Sequence, residues 1–513
     1  MKGRPAVGCL LRASCLTLLL ACGREFPPSP ELQVAMEVSA WPDTLVVTDT
    51  VELTVRLLGP GGGEVSGAAV SWTSSDPAIL DVVALPPPTG GTPFDSLAAR
   101  LRVRALARGI GDVQVTAVIQ EGGALRRAEI TRTINVQARW ISVSAGYQHS
   151  CGVTVNNDAY CWGGGLRLLG NGSSSGSVVP ARVVGDLPFA SVTAGWEHSC
   201  GMLLDGLMYC WGYNPYGALG NSNHVDQLAP DPVEFRPRFL SVHAGYGYTC
   251  GVSDINTAAC WGDHSSGQLS TGATDVCGTE QTRCSLVPVA VFQSSGAVFM
   301  AEKISPGERS TCAIDLAGTA FCWGDNSRGL LGTLSRDSSS VPVPIASTAR
   351  FRSISVGGHH ACAIDTDGEA WCWGTNQFGE LGTSVAGDTC EGFPCAPTPV
   401  AVSTDVRFQE ISVRGRSSCA RTAGGEIWCW GLNDHGQLGS VSTESCSGLR
   451  CSTAPLKVEG GLTFSSVSVG KAHVCGLATN GGAYCWGSRA DGALGTAGTD
   501  DAPRPLRVAS PRS

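Results

Sequence analysis

Cysteine and histidine are the residues of this 513-residue chain whose number and spacing could do chemistry: there are 23 of the first and nine of the second. A thiol can act as nucleophile, metal ligand or disulfide partner, and spacing separates these roles. Seven times a cysteine is followed ten positions later by Cys-Trp-Gly, as in "CAIDTDGEAWCWG" from Cys362 to Gly374. The sixth place after the first cysteine is Gly206, Gly318, Gly368, Gly425 or Gly481, and Asn157 or Asn256 in the other two repeats. Gly and Asn accept the left-handed backbone that a short hairpin loop requires. Facing residues on such a hairpin have Cα atoms about 4.5–5.5 Å apart, inside the disulfide window. The spacing therefore predicts the pairs Cys151–Cys161, Cys200–Cys210, Cys250–Cys260, Cys312–Cys322, Cys362–Cys372, Cys419–Cys429 and Cys475–Cys485.

Three closer pairs, Cys277–Cys284, Cys390–Cys395 and Cys446–Cys451, fall in long connections after Gly-x-Leu-Gly turns. Local disulfides there would stiffen loops on one rim. Their spacings match no zinc ribbon. The remaining Cys9, Cys15 and Cys22 lie near the N-terminus, so no thiol is left over for catalysis. His149, His198, His360 and His473 each stand two residues before a first cysteine. Tyr248, Ser310 and Ser417 take that place in the other repeats, which favours hydrogen bonding over a metal ring. The tryptophans of the Trp-Gly pairs (Trp162, Trp211, Trp261, Trp323, Trp373, Trp430, Trp486) keep one register and read as packing between repeats. No phosphate loop, H-E-x-x-H or Rossmann glycine pattern is present. The expectation is a protein that is not an enzyme and holds no metal or cofactor.

The compartment follows from the N-terminus. Lys2, Arg4 and Arg12 precede the apolar run "ASCLTLLLA", which is too short to span a membrane and suits an export signal. Its end, "LLAC", resembles a bacterial lipoprotein lipobox, with Cys22 as the lipidated residue. That resemblance, with Gly23 after the cysteine, implies an exported protein of the cell envelope, in the outer membrane or at the surface. "GREFPPSP" then reads as a Pro-rich tether, and lipid would be the only membrane attachment. The formal charge of −9 and the lack of a basic stripe argue against a nucleic-acid partner.

The elements that must position these residues fall into two units. Residues 32–138 contain no cysteine and alternate as short strands, which predicts a β-sandwich. "VSWTSSDPAILDV" followed by "GIGDVQVTAV" resembles bacterial immunoglobulin-like domains, with Trp72 expected in the core. From residue 139 to 513 the first cysteines recur at steps of about fifty residues, the length of a propeller blade. The pattern G-x-x-H-x-C…D-G-x-x-x-C-W-G-x-N-x-x-G-x-L-G resembles the regulator of chromosome condensation repeat, and implies an all-β, seven-bladed propeller after the sandwich. The boundaries expected are a signal over 1–21, the tether over 22–31, the sandwich over 32–138 and the propeller over 139–513. The strand at 139–144 is expected to share a blade with the one at 505–510 and so close the ring.

Against this repeating background the variable places are three and four residues before each first cysteine. They hold Tyr147, Trp196 and Tyr246 in the first three repeats, and Glu308, Arg309, His359, Arg416 and Lys471 further on. Aromatics on a rigid face commonly anchor partners. The reading is a lipid-anchored envelope scaffold that binds a protein or a glycan on this face. Family likeness offers an alternative, guanine-nucleotide exchange on a small GTPase, which the export signal opposes. A surface hydrolase with its site on one propeller face is the second alternative. Peptide mapping of the unreduced protein is expected to find Cys151 joined to Cys161, and likewise within each repeat. Free thiols, or bonds between repeats, would contradict the hairpin register.

Overall fold

The computed structural model describes residues 35–38, 44–46, 48–58, 69–85, 99–105, 109–121, 124–165, 167–234, 238–270, 275–278, 281–384 and 388–511. The signal, Cys22 and the tether lie outside them. Among the described residues helix is confined to one turn at Ala490–Gly492.

Two four-stranded sheets precede residue 140. One contains Ala35–Val38, Thr50–Leu58, Ala99–Ala105 and Leu80–Leu85, and the other Thr44–Val46, Ala124–Gln137, Gly109–Glu121 and Ala69–Ser74. Alternation along the strands turns Leu53, Val55, Leu101, Val103, Val115 and Ile134 into one shared core. Trp72, expected inside that core, is instead half-buried against its side. It lies on Ala69–Ser74, which is an edge strand of its sheet among the described residues.

From Trp140 onward seven antiparallel sheets follow one another. In the first, Trp140–Ala145, His149–Thr154, Ala159–Gly163 and Ser177–Arg182 lie side by side in chain order. The first strands of the other sheets are Phe189–Ala194, Phe239–Ala244, Ala301–Pro306, Phe351–Val356, Phe408–Arg414 and Phe464–Val469. First strands of neighbouring sheets touch, and the last sheet packs on Trp140–Ala145, so the array is a closed ring with those strands innermost. Closure does not follow the expected route. Ala502–Arg507 stays in the last sheet beside Ala483–Gly487 and shares none with Trp140–Ala145. Contacts between complete sheets close the ring instead.

Each C-x9-C pair is directly opposed in its hairpin, as in Cys151 with Cys161 and Cys362 with Cys372. All seven are disulfides, with Cα atoms 4.0–4.1 Å apart, closer than an unbridged pair. Asn157 and Asn256 adopt φ of 63° and 61° at the loop place that Gly fills elsewhere. The other three pairs are also disulfides. The segments expected as loops there form hairpins, adding a fifth, outer strand to the third, fifth and sixth sheets at Asp275–Cys277, Thr389–Cys390 and Glu444–Cys446.

One contact joins sheet to sheet around the ring. The fully buried Trp211 donates its indole N–H to the carbonyl of Leu168, in the turn that ends the previous repeat's hairpin, at 2.9 Å. Trp323 does the same to Gln268, Trp373 to Leu330, Trp430 to Glu380 and Trp486 to Gln437, at 2.8–3.0 Å. Trp162 of the first sheet reaches Ala493 of the last at 2.9 Å. Hydroxyls of Ser199, Thr249, Thr311, Ser418 and Ser150 donate to the same row of carbonyls. Four of those hydroxyls also meet a histidine of the adjacent sheet: His149 with Ser199, His198 with Thr249, His360 with Ser418 and His473 with Ser150, at 2.7–2.9 Å. Burial lowers these four histidines to about 3 or 4, so they are neutral hydrogen-bonding groups.

Glu380 stands in this row of turns with no exposed surface. Its Oε2 accepts the Phe378 N–H at 2.6 Å, and its Oε1 has no partner. Gln268 and Gln437 fill the same place in other turns, and their amide groups donate to Asp263 and Asp434 at 2.9 and 2.8 Å. Burial raises Glu380 from 4.5 to about 7. A carboxyl whose folded pKa lies above its unfolded one costs stability progressively as pH climbs from about 4.5 to about 7. Glu380→Gln is expected to flatten that part of the profile of melting temperature against pH. It should also stabilise the protein by about 2 kcal/mol at pH 8, as the charged form no longer has to be buried. A profile unchanged by the substitution would contradict this assignment.

Candidate functional site

The turn between each first strand and the next is the innermost backbone on one face of the ring. The N–H groups of Tyr147, Trp196, Tyr246 and Lys471 donate to the carbonyls of Gly195, Gly245, Gly307 and Gly146 in the adjacent sheet, at 3.0–3.2 Å. Such close approach requires glycine. A Cβ added to Gly146, Gly307 or Gly470 would lie 2.5–2.6 Å from a neighbouring glycine carbonyl. Six sheets have glycine five residues before the first cysteine, and the sixth sheet has Arg414. Its guanidinium crosses the ring to three sheets. Nη1 donates to Ala194 at 2.9 Å and Ala145 at 3.4 Å, and Nη2 to Ala244 at 3.1 Å. Burial alone lowers Arg414 to about 10, with no carboxylate contributing.

Above Arg414 lies a cavity of about 280 Å³. Seven of the eight residues expected on the binding face line it: Tyr147, Trp196, Tyr246, Glu308, His359, Arg416 and Lys471. Arg309 is exposed and is not part of the lining, although its charge acts on Tyr246. Sequence reasoning missed Arg414, Asp434 and His435 in the lining. For Arg414 the signal was present as the single break in the glycine column. Asp434 and His435 belong to the turn after Cys429-Trp-Gly, whose other copies suggest only packing.

The wall divides into an aromatic and a charged half. Tyr147 and Trp196 stack at 3.8 Å and 16°, and Tyr246 meets Trp196 edge-on at 4.6 Å and 69°. Lys471 Nζ sits 4.1 Å over the other face of Tyr147. These rings therefore cover one another in part, with Tyr147 held between Trp196 and Lys471. Opposite, Arg416 lies 4.8 Å over the Phe378 ring and donates to Gln377. Arg328 holds the Gly358 carbonyl at 2.7 Å and pairs with Glu391 at 2.8 Å and Glu308 at 3.5 Å. Burial, then Arg416 and Arg328, lower His359 to about 4, so it is neutral. His435 contacts Asp501 at 2.7 Å and Asp434 at 3.6 Å.

The outer hairpins brace this mouth. Glu391 lies within the loop closed by Cys390–Cys395. The N–H groups of His264, Asn376 and Asn433, in the turns leading to the rim, donate to Arg283, Pro394 and Arg450 of the three hairpins at 2.7–2.9 Å. All 20 cysteines among the described residues are disulfide-bonded. No group of three His, Cys, Asp or Glu residues there is placed to hold a metal. Ser174 has nucleophile-elbow spacing within Gly172–Gly176, but it is exposed in a loop between two strands, away from the cavity. The arrangement offers cations and aromatic rings around a concave opening, which is equipment for binding.

A family model described as the RCC1-like domain matches residues 109–458. The chain is similar to human E3 ubiquitin-protein ligase HERC2, 29% identical over 196 residues, or 37% of this chain and 4% of that protein. It is also similar to the ultraviolet-B receptor UVR8 of Arabidopsis thaliana, 31% identical over 116 residues, or 22% of this chain and 25% of that one. It thus spans a quarter or less of these curated relatives. Among solved structures, Prp20p of Saccharomyces cerevisiae superposes with a TM-score of 0.60 at 22% identity, over 69% of this chain and 87% of that one. Human WBSCR16 does so with 0.56 at 18%, over 68% and 90%. These likenesses show an RCC1-type propeller fold. With the family model spanning more than half of its length, the chain belongs to the RCC1-like domain family.

Proposed function

We propose that this protein is a non-enzymatic cell-envelope scaffold, attached by lipid at Cys22. An immunoglobulin-like stalk would carry a seven-bladed propeller that docks a protein partner on the Arg414 face. The observation that carries the reading is the convergence of Tyr147, Trp196, Tyr246, Arg416 and Lys471 on one concave mouth. Ten disulfides support an oxidising compartment. A protein partner is favoured over a glycan because sugar stacking needs open ring faces, and those of Tyr147 are already covered by Trp196 and Lys471. The solved structure of Prp20p is described with that protein's binding to Gsp1p and histones, so the fold is one that serves protein recognition.

Full-length protein used as bait in envelope extracts is expected to capture a partner. The triple variant Tyr147→Ala, Trp196→Ala, Tyr246→Ala should retain less than a tenth of it, since aromatic anchors contribute about 2 kcal/mol or more each. Equal capture by both would remove the face from consideration. Separately, Cys22→Ser should move the protein from the membrane to the soluble fraction on cell fractionation. An unchanged distribution would refute the lipid anchor.

A further inference from the structure

Three cations line the cavity without a carboxylate of their own. Among the described residues Arg414 donates only to backbone carbonyls. Arg416 meets the Gln377 amide and the Phe378 ring, and Lys471 lies over Tyr147. The two carboxylates of the lining are engaged elsewhere. Glu308 faces Arg328 at 3.5 Å, and Asp434 accepts from Gln437 at 2.8 Å and faces His435 at 3.6 Å. In a chain of formal charge −9 this is a local excess of positive charge, set in a mouth whose walls are partly apolar. Low-dielectric walls focus such a field, and a guanidinium is a forked donor suited to carboxylate. The aromatic half adds to the preference, because ring edges carry the positive end of the quadrupole.

Resting on the docking reading above, we infer that the partner anchors itself here by an aspartate or glutamate side chain on a protruding loop, seated against Arg414, Arg416 and Lys471. Size and charge both select this occupant. A volume of about 280 Å³ is at the lower end for ligand pockets and suits one or two side chains. The local excess of positive charge selects an anion, and a carboxylate is the anion that a protein loop carries on its own side chains. The floor is also rigid. Arg414 is tied to three sheets at once, so its charge is placed before a partner arrives and little ordering is required on binding.

The test selects binders to the full-length protein from a phage-displayed library of ten-residue disulfide-closed loops. The enriched loops are expected to hold Asp or Glu at one fixed position. Changing that residue to Asn or Gln should weaken binding at least tenfold. Arg414→Met should do the same, and affinity should fall as salt is raised. Because Arg414 bridges three sheets, a second variant separates folding from binding: the rim double variant Arg416→Gln, Lys471→Met, checked by an unchanged melting temperature, carries the same expectation. Loops that lose binding to the triple aromatic variant but hold no acidic residue, or that ignore the folded cation variants, would overturn the carboxylate anchor and leave the docking face standing. Loops that bind the triple variant normally, or no enrichment at all, would overturn both.

Discussion

A single row of carbonyls, one from each repeat's Gly-x-Leu-Gly turn or its equivalent, governs how the ring is assembled. Each lies on the indole N–H or the hydroxyl of the next sheet, and in four turns on both, as at Leu168 with Trp211 and Ser199. The glycine ending the turn is there because the indole leaves no space: a Cβ on Gly170 or Gly495 would lie 2.7 Å from a tryptophan nitrogen. Thus the Cys-Trp-Gly of one repeat and the Gly-x-Leu-Gly of the previous one are two halves of one contact. Six of the seven tryptophans complete it, and Trp261 is buried without a partner for its N–H. At that junction Thr249 alone donates to the carbonyl of Ala218.

The disulfides act within this frame. Each opposed pair is buried, and its sulfurs belong to the core formed with the following sheet, as Cys151 and Cys161 do with Phe189 and Trp211. A sheet of about four short strands cannot bury much surface by itself. Closing a loop of about ten residues contributes roughly 2.5–3 kcal/mol in the chain-entropy model. The staple fixes the hairpin register, and the register fixes which face offers tryptophan to its neighbour. Innermost, serine or threonine hydroxyls on the first strands accept N–H groups from the next first strand at 2.9–3.3 Å at six junctions. The remaining junction places His243 opposite Pro306, which has no N–H to give.

Legibility in the sequence follows the range of the interaction. Hairpin register depends on ten residues and a loop conformation, so Cys362 with Cys372 and the left-handed Asn157 were readable from spacing. The face residues were readable because variation stands out against a repeat, and seven of the eight converge on one cavity. Ring closure depends on packing between the two ends of the array. Strand patterns suggested a shared blade, whereas Trp162 with Ala493 and Ser150 with His473 already join complete sheets. Trp72 shows the same boundary: alternation tells which way a side chain points, and strand order decides whether anything covers it. Arg414 was missed for a different reason. Counting back from the cysteine to Gly415 hid that the preceding residue occupies a column otherwise held by glycine.

That exception links scaffold and surface. Six glycines let backbone approach backbone around the channel, and a seventh would complete a neutral collar. Arg414 instead places a guanidinium where three sheets present carbonyls, which costs desolvation, as its pKa of about 10 reflects. Its hydrogen bonds offset part of that cost, and they hold the charge at the floor of the one concave opening that also gathers Trp196 and Lys471. The repeats supply rigidity through what is identical in them. Whatever selectivity this face has must come from the few places where they differ, and Arg414 is the place where that difference reaches the backbone of the ring itself.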